Sequence, residues 1–224
     1  MHSIITRALP LHSPVRGNAL RRLAAVPLCG LLLVVAAFVA PPVAAADHPA
    51  QARVKDAVEQ VIDVLDTRAD ELAADPELLA RTVEQYIVPY VDFNTMTKLA
   101  VGKFWRDADA AQKTELVTEF KMLLMNTYAG ALKEYEDATI RFEPFRPESR
   151  DDRAIVRSTY KQAGTGDVPV EYKLRDKDGW LIYDIEVNGI SLVTSYRSAF
   201  ANEISRGGVA GLLDTLKERN AKKS

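Results

Sequence analysis

The ionisable side chains best placed for chemistry are those set among apolar neighbours. Asp184 sits in the middle of the strand-like run Trp180–Val187, and Arg197 falls on the apolar side of the helix-like run that follows. A desolvated carboxylate can serve as a general base, with the Tyr172 or Tyr183 hydroxyl beside it as an isomerase or hydratase would use them. It can equally serve as the partner that a buried guanidinium requires. Perturbed carboxylates are common in structural ion pairs, and Asp184 is the nearest acid in sequence to Arg197. The expected arrangement is therefore a structural Asp184–Arg197 pair that docks helix on strand. Lys121 is the third charge out of place, lying between Val117, Leu124 and Tyr128. Its stem either snorkels across apolar surface to water, the commoner use, or holds the ammonium at a pocket mouth for an anionic headgroup.

Most other chemistry is closed by what the chain lacks after its first 46 residues. Residues 1–22 carry Arg7, Arg16, Arg21 and Arg22 and no acid, Leu23–Ala46 carries no charge, and the run ends in PPVAAAD. A basic n-region, an apolar h-region and a small-residue end have the anatomy of a secretory signal. Cleavage is expected after Ala46, against the alternative of an uncleaved anchor of membrane-spanning length. Arg21-Arg22 fits a twin-arginine signal poorly, so ordinary export is expected. Cys29, His2 and His12 leave with the segment, and only His48 remains. Without cysteine or a histidine set, a Ser-His-Asp or Cys-His nucleophile and the usual zinc site are excluded, as are structural disulfides. The remaining chain holds 25 basic against 31 acidic residues, which argues against nucleic acid as a partner.

The elements that position these groups follow from periodicity. Val54, Val58, Val61, Ile62, Leu65, Ala69 and Leu72 line one face of a helix, and Asp75-Pro76 caps and opens a second through about Val88. A short helix from Asp92 gathers Phe93, Met96, Leu99 and Ala100 before Gly102. A long one from about Asp109 to Tyr135 is apolar over more than half its circumference: Leu116, Phe120, Leu124, Thr127, Tyr128, Ala131 and Tyr135 form one arc. A helix of that make-up touches apolar material on two sides. After Tyr135 the period changes to two, giving four antiparallel strands. Val168, Val170, Tyr172 and Leu174 share one face. Leu181, Tyr183, Ile185 and Val187 oppose Trp180 and Ile182, so both faces of the last strand are expected to be apolar. Asn188-Gly189 turns directly into a helix with Ile190, Val193, Thr194, Arg197, Phe200, Ala201 and Ile204 on one side. Gly207-Gly208 separates a last short helix over Val209–Arg219. Helices, a meander and helices again imply an α+β fold with an antiparallel sheet. Residues 47–216 are expected to form a single domain and 217–224 a solvated tail.

Several stretches resemble one family. They are LAVGKFWRDADAAQKTELVTEFKMLLMNTYAGALKEY, VPVEYKLRDKDGWLIYDIEVNGISLVTSYRSAF and GGVAGLLDTL, in the same order and with similar spacing over nearly all of Val54–Leu216. The more specific parts are Gly102 through Trp105, Thr127-Tyr128, Trp180 through Asp184, Gly189 through Leu192, Tyr196-Arg197 and Gly207-Gly208. The pattern is that of the MlaC family, also known as toluene-tolerance proteins. The resemblance implies a periplasmic phospholipid carrier without cofactor. Its fold would be a cystatin-like or nuclear-transport-factor-like roll with a helical subdomain. It would hold the acyl chains in a deep apolar pocket and serve an outer-membrane lipoprotein–porin complex and an inner-membrane ABC transporter with its anchored hexameric ring. A monomer is expected.

Each acyl methylene costs about 0.8 kcal/mol to expose, so two chains of roughly sixteen carbons cost about 25 kcal/mol in water. A carrier must enclose nearly all of both, in a cavity at or above about 1,000 Å³. The family pattern does not itself assign pocket residues. Wheels and strands give the candidate lining: Phe93, Met96, Leu99, Phe104, Trp105, Phe120, Leu124 and Tyr128 from the first helices, Val170, Tyr172 and Ile182 from the sheet, and Leu192, Tyr196 and Phe200 from the last helical region. The competing functions are the Asp184–tyrosine enzyme and an adaptor that packs its apolar surface on a protein.

Overall fold

Each of the first four helices opens on a side-chain cap. The computed structural model describes residues 47–128, 139–162 and 166–222. His48 Nδ1 accepts the Ala50 amide at 3.2 Å and opens α1, Pro49–Ala74, which kinks at Arg68. Asp75 accepts the Leu78 amide at 2.9 Å and opens α2, Pro76–Tyr86. This helix stops short of Val88 because Pro89 has no amide to offer, and a 3-10 turn over Val88–Tyr90 follows. Asp92 caps α3, Phe93–Val101, through the Thr95 amide, and a second 3-10 turn runs over Gly102–Arg106. Asp109 and Gln112 exchange amide bonds at 2.8 and 3.1 Å, a capping box that opens α4. α4 is described over Ala110–Tyr128. Its expected continuation to Tyr135, with Ala131, lies outside the described residues.

The sheet is a five-stranded antiparallel meander in chain order: β1 Thr139–Phe142, β2 Arg153–Gln162, β3 Gly166–Asp176, β4 Trp180–Val187 and β5 Ile190–Ser191. Asn188 (φ 51) and Gly189 (φ 77) take the left-handed conformations of a primed hairpin turn. The chain after this turn does not enter a helix at once. It pairs back as β5, and α5, Leu192–Ala221, begins where Ser191 Oγ accepts the Thr194 amide.

β4 does not keep the expected alternation. Its register against β3 slips between Lys173 and Leu174, so Lys173 faces Asp184 while Leu174 faces Ile182, leaving Tyr183 as an extra residue. Strict alternation fails across such a bulge. Ile182 and Ile185 therefore both join the core side, and β4 is not apolar on two faces. Ala154, Val156, Val170, Tyr172, Leu174 and Ile182 bury together against Ala50 and Val54 of α1. The other face is a lattice of ion pairs, Arg157–Glu171 at 2.8 Å and Lys173–Glu186 at 2.7 Å.

Two further groups of apolar side chains complete the packing. α3, α4 and α5 share a helical core around Met96, Leu116, Phe120, Phe200, Leu212 and Leu216. The second half of α1 and α2 close a small cluster on Val64, Leu65 and Leu72. Val91 packs against both the helical core and the sheet core, and forms an isolated parallel bridge to Ile182. As expected, Gly208, with non-helical φ 68 and ψ −168, divides α5 into two helical stretches joined at a kink, and the second runs on to Ala221. The residues from Lys217, expected as a solvated tail, therefore begin as helix. Buried Asn220 anchors them by donating to the Glu119 carbonyl at 3.0 Å.

Candidate functional site

Asp184 is 5 % exposed, but its partner is not Arg197. One carboxylate oxygen accepts the Val193 amide at 3.1 Å; the other accepts Ser191 Oγ at 2.8 Å and faces Lys173 Nζ at 3.4 Å. The carboxylate thus holds the first turn of α5, where helix amides are unpaired and favour negative charge. It does dock helix on strand, through backbone rather than guanidinium. Arg197 is exposed, and its Nε donates to the Leu99 carbonyl at 2.9 Å. By helical spacing Arg197 does share the face of Val193, Phe200 and Ile204, but its guanidinium goes to the Leu99 carbonyl of α3, and the Asp184 oxygens are already taken by Val193, Ser191 and Lys173.

The enzyme constellation is likewise not brought together. The Tyr172 hydroxyl meets the Tyr160 hydroxyl at 2.6 Å on the α1 side of the sheet, opposite Asp184. The Tyr183 ring lies 5.3 Å below the Arg153 guanidinium. Lys173 feels burial, which would lower its pKa, but the Glu186 and Asp184 carboxylates outweigh this and hold the ammonium above its ordinary value. A charged lysine and two engaged carboxylates form a structural lattice. Among the described residues no group of three His, Cys, Asp or Glu side chains could hold a metal.

Lys121 does leave the apolar arc, and it ends on a protein carboxylate: its ammonium is bound to Glu84 of α2. That ion pair occupies the group whose alternative use was to meet a lipid headgroup.

The candidate lining residues separate into two sets. Phe93, Met96, Leu99, Phe104, Trp105, Phe120, Leu124, Leu192, Tyr196 and Phe200 all belong to the helical core or pack on it. Val170, Tyr172 and Ile182 belong to the sheet core. Tyr128 is 45 % exposed, and its hydroxyl meets that of Tyr196. The helical core is filled by rings: Phe120 lies edge-on to Tyr196 and to Phe200, each at 5.0 Å. Burial above all, then the neighbouring Tyr128, pushes the Tyr196 hydroxyl up to about 12. Two spaces stand out among the described residues. One of about 10 Å³ lies between α1 and α2; one of about 110 Å³ lies beside His48, Phe145 and Arg153. Both are smaller than the roughly 300–1,000 Å³ of ordinary ligand pockets.

Several residues that organise this region carry no strong sequence signal. Val91 and Asp92 join the lobe to the sheet through the Asp92 amide, which donates to the Ile182 carbonyl at 2.8 Å. Arg175 adds a contact to Asp92 at 3.8 Å and donates to Thr95 Oγ1 at 2.9 Å. The polar lattice does carry a signal: Glu171, Lys173 and Arg175 alternate in β3 opposite its apolar positions.

By architecture this is an α+β protein whose meander buries one face under a helix, with a ring-filled helical core of its own beside the sheet. Within that class the chain belongs to the MlaC family, whose model, described as MlaC protein, matches residues 55–218. It is 26 % identical over 181 residues to toluene tolerance protein ttg2D of Pseudomonas putida, covering 80 % of this chain and 83 % of that one. It is 21 % identical over 192 residues to the intermembrane phospholipid transport system binding protein MlaC of Haemophilus influenzae, covering 84 % and 90 %. A solved phospholipid-binding protein from Ralstonia solanacearum, in complex with a phospholipid, is 38 % identical, with a TM-score of 0.72 over 78 % of this chain and 98 % of that one.

Proposed function

We propose that this chain is a non-enzymatic periplasmic carrier of glycerophospholipid, built on a cystatin-like roll. The observation that carries the reading is its 38 % identity to a protein solved with a phospholipid bound, at a TM-score of 0.72. The engagement of Asp184 by Ser191, Val193 and Lys173 supports the same reading, because it leaves the enzyme alternative without a free base. Among the described residues no helix is long and apolar enough to cross a membrane.

The acyl chains lie, in this proposal, along the seam between the helical core and the sheet core. Phe93, Leu99, Phe104, Trp105 and Leu192 are only partly buried against the helical core, and Val91 touches both cores. The polar ties across the seam include the Asp92–Ile182 backbone bond, the Arg175 contacts to Asp92 and Thr95, and the Asp184 carboxylate of β4 on the Val193 amide of α5. Separating the two cores exposes apolar surface, which acyl methylenes then cover at about 0.8 kcal/mol each. The lipid leaves and arrives at the two membrane complexes named by the family resemblance, the outer-membrane lipoprotein–porin complex and the inner-membrane ABC transporter.

Native mass spectrometry of the purified protein, followed by organic extraction, tests this. The expected result is one diacyl phospholipid per chain. A ligand-free protein that also takes no lipid from vesicles overturns the reading.

A further inference from the structure

Many basic side chains of the described residues meet a carboxylate, and five of the rest lie together. Lys55, Lys121, Arg157, Lys161, Lys173 and Lys217, among others, each meet a carboxylate. Lys98, Lys103, Arg106, Lys113 and Arg197 form no such pair among the described residues, and all five belong to one region of surface. Lys98 is in the last turn of α3, where its carbonyl accepts the Gly102 amide. Arg197 reaches from α5 to the Leu99 carbonyl, and its side chain passes 3.9 Å from where a Cβ on Gly102 would stand. Lys103 and Arg106 are exposed on the 3-10 turn. Lys113 comes from the first turn of α4, its ammonium 5.9 Å from the centre of the Trp105 ring. The acids in the same stretch are Asp107, which is exposed, and Asp109, which is occupied in capping α4.

We infer that this surface is a docking site for a partner protein presenting aspartate and glutamate side chains. Five unpaired cations on a chain rich in acid attract and orient such a face during encounter, which is where charge complementarity has its largest effect. An anionic bilayer is the other polyanion to consider, and the local geometry disfavours it. Interfacial membrane binding uses protruding apolar side chains. Here the Phe104 and Trp105 rings are partly buried against the helical core, and the ammonium of Lys103 lies 5.0 Å from the centre of the Phe104 ring. The exposed large apolar residues, Met122, Tyr128, Val187 and Ile190, belong to the later part of α4 and to the β4–β5 turn.

The test is titration of the purified protein with poly-L-glutamate and, separately, with phosphatidylglycerol vesicles, each at low and high salt. The wild type is expected to bind poly-L-glutamate with an affinity that falls as salt rises. Lys103→Glu with Arg106→Glu is expected to weaken binding about tenfold or more, as like charges replace complementary ones. Arg146→Glu with Lys177→Glu, two exposed cations elsewhere that are also outside ion pairs among the described residues, is expected to leave binding unchanged. Should the first double variant not fold, Lys98→Gln with Lys103→Gln removes charge without reversing it, and the same direction is expected. No binding of poly-L-glutamate by the wild type, an equal loss in the control pair, or binding to the vesicles alone each overturns the assignment. Lipid carried per chain is read on the same samples and stays at the wild-type level, so failure here is separable from failure of the carrier reading.

Discussion

A single carboxylate, Asp184, does at the residue scale what a longer loop would otherwise do: it fixes where α5 begins. Its two oxygens accept an amide, a hydroxyl and a lysine. Asp184→Asn keeps one acceptor but turns an NH2 toward the hydroxyl and ammonium donors. Leaving buried partners unmet costs about 1–3 kcal/mol, so the urea midpoint should drop while lipid content per chain holds. A normal midpoint with lost lipid would instead move Asp184 into the binding site. Tyr196 gives a pH signature. Burial first, then Tyr128, raises its hydroxyl from 10.0 to about 12, so the unfolded chain releases this proton before the folded one does. The stability it contributes is complete below pH 10 and is lost as pH rises through about 12. Tyr196→Phe should flatten the fall in stability over that window, measured by denaturant unfolding at successive pH values. It should not abolish the fall, because hydrogen bonding to Asp56 also holds the Tyr90 hydroxyl up.

Elements differ in how openly the chain announces them. The caps at Asp75 and Asp92, the four longer strands and the Asn188-Gly189 turn are legible, because each rests on local geometry that a few neighbouring residues dictate. The β4 bulge is not: Tyr183 looks like any alternating residue, and only pairing with β3 makes it surplus. That one slip moves Ile182 to the core side and removes the apparent second apolar face, on which the expectation of a lipid-facing strand rests. The position of Arg197 is legible but its partner is not, since helical spacing puts it on the face of Val193, Phe200 and Ile204 and only the placement of α3 supplies the Leu99 carbonyl. The aromatic members of the candidate lining are legible as a group, by helical spacing, yet spacing alone does not separate a filled core from a pocket wall. Gly208 marks another element-level constraint. It takes φ 68 and ψ −168 inside α5, and a methyl group added at its Cα would meet nothing within 4 Å. The space is open, so Gly208→Ala is opposed by backbone conformation alone, at about 1–3 kcal/mol. Thermal unfolding should show that loss, and a neutral result would mean α5 straightens freely.

At the scale of the whole molecule, the helical core and the sheet core are packed separately and meet at Val91, at Asp92 and where Asp184 of β4 holds the first turn of α5. If acyl chains occupy that seam, the lipid is part of the fold and its removal should be felt as lost stability. A ligand held at about a hundredfold above its dissociation constant adds about 2.7 kcal/mol, and each kcal/mol shifts the midpoint by about 2–4 °C in a domain of this size. Stripping the lipid should therefore lower Tm by about 5–11 °C, and returning phospholipid should restore it. The loss should also be local. Amide exchange should quicken at Asp92 and along the Ile182 side of β4, whose backbone bond bridges the seam, more than in the β2–β3 ladder under α1. A lipid-free protein with the same Tm and the same exchange pattern would place the cargo away from the seam. Uniformly faster exchange would show instead that the two cores open together rather than along their joint.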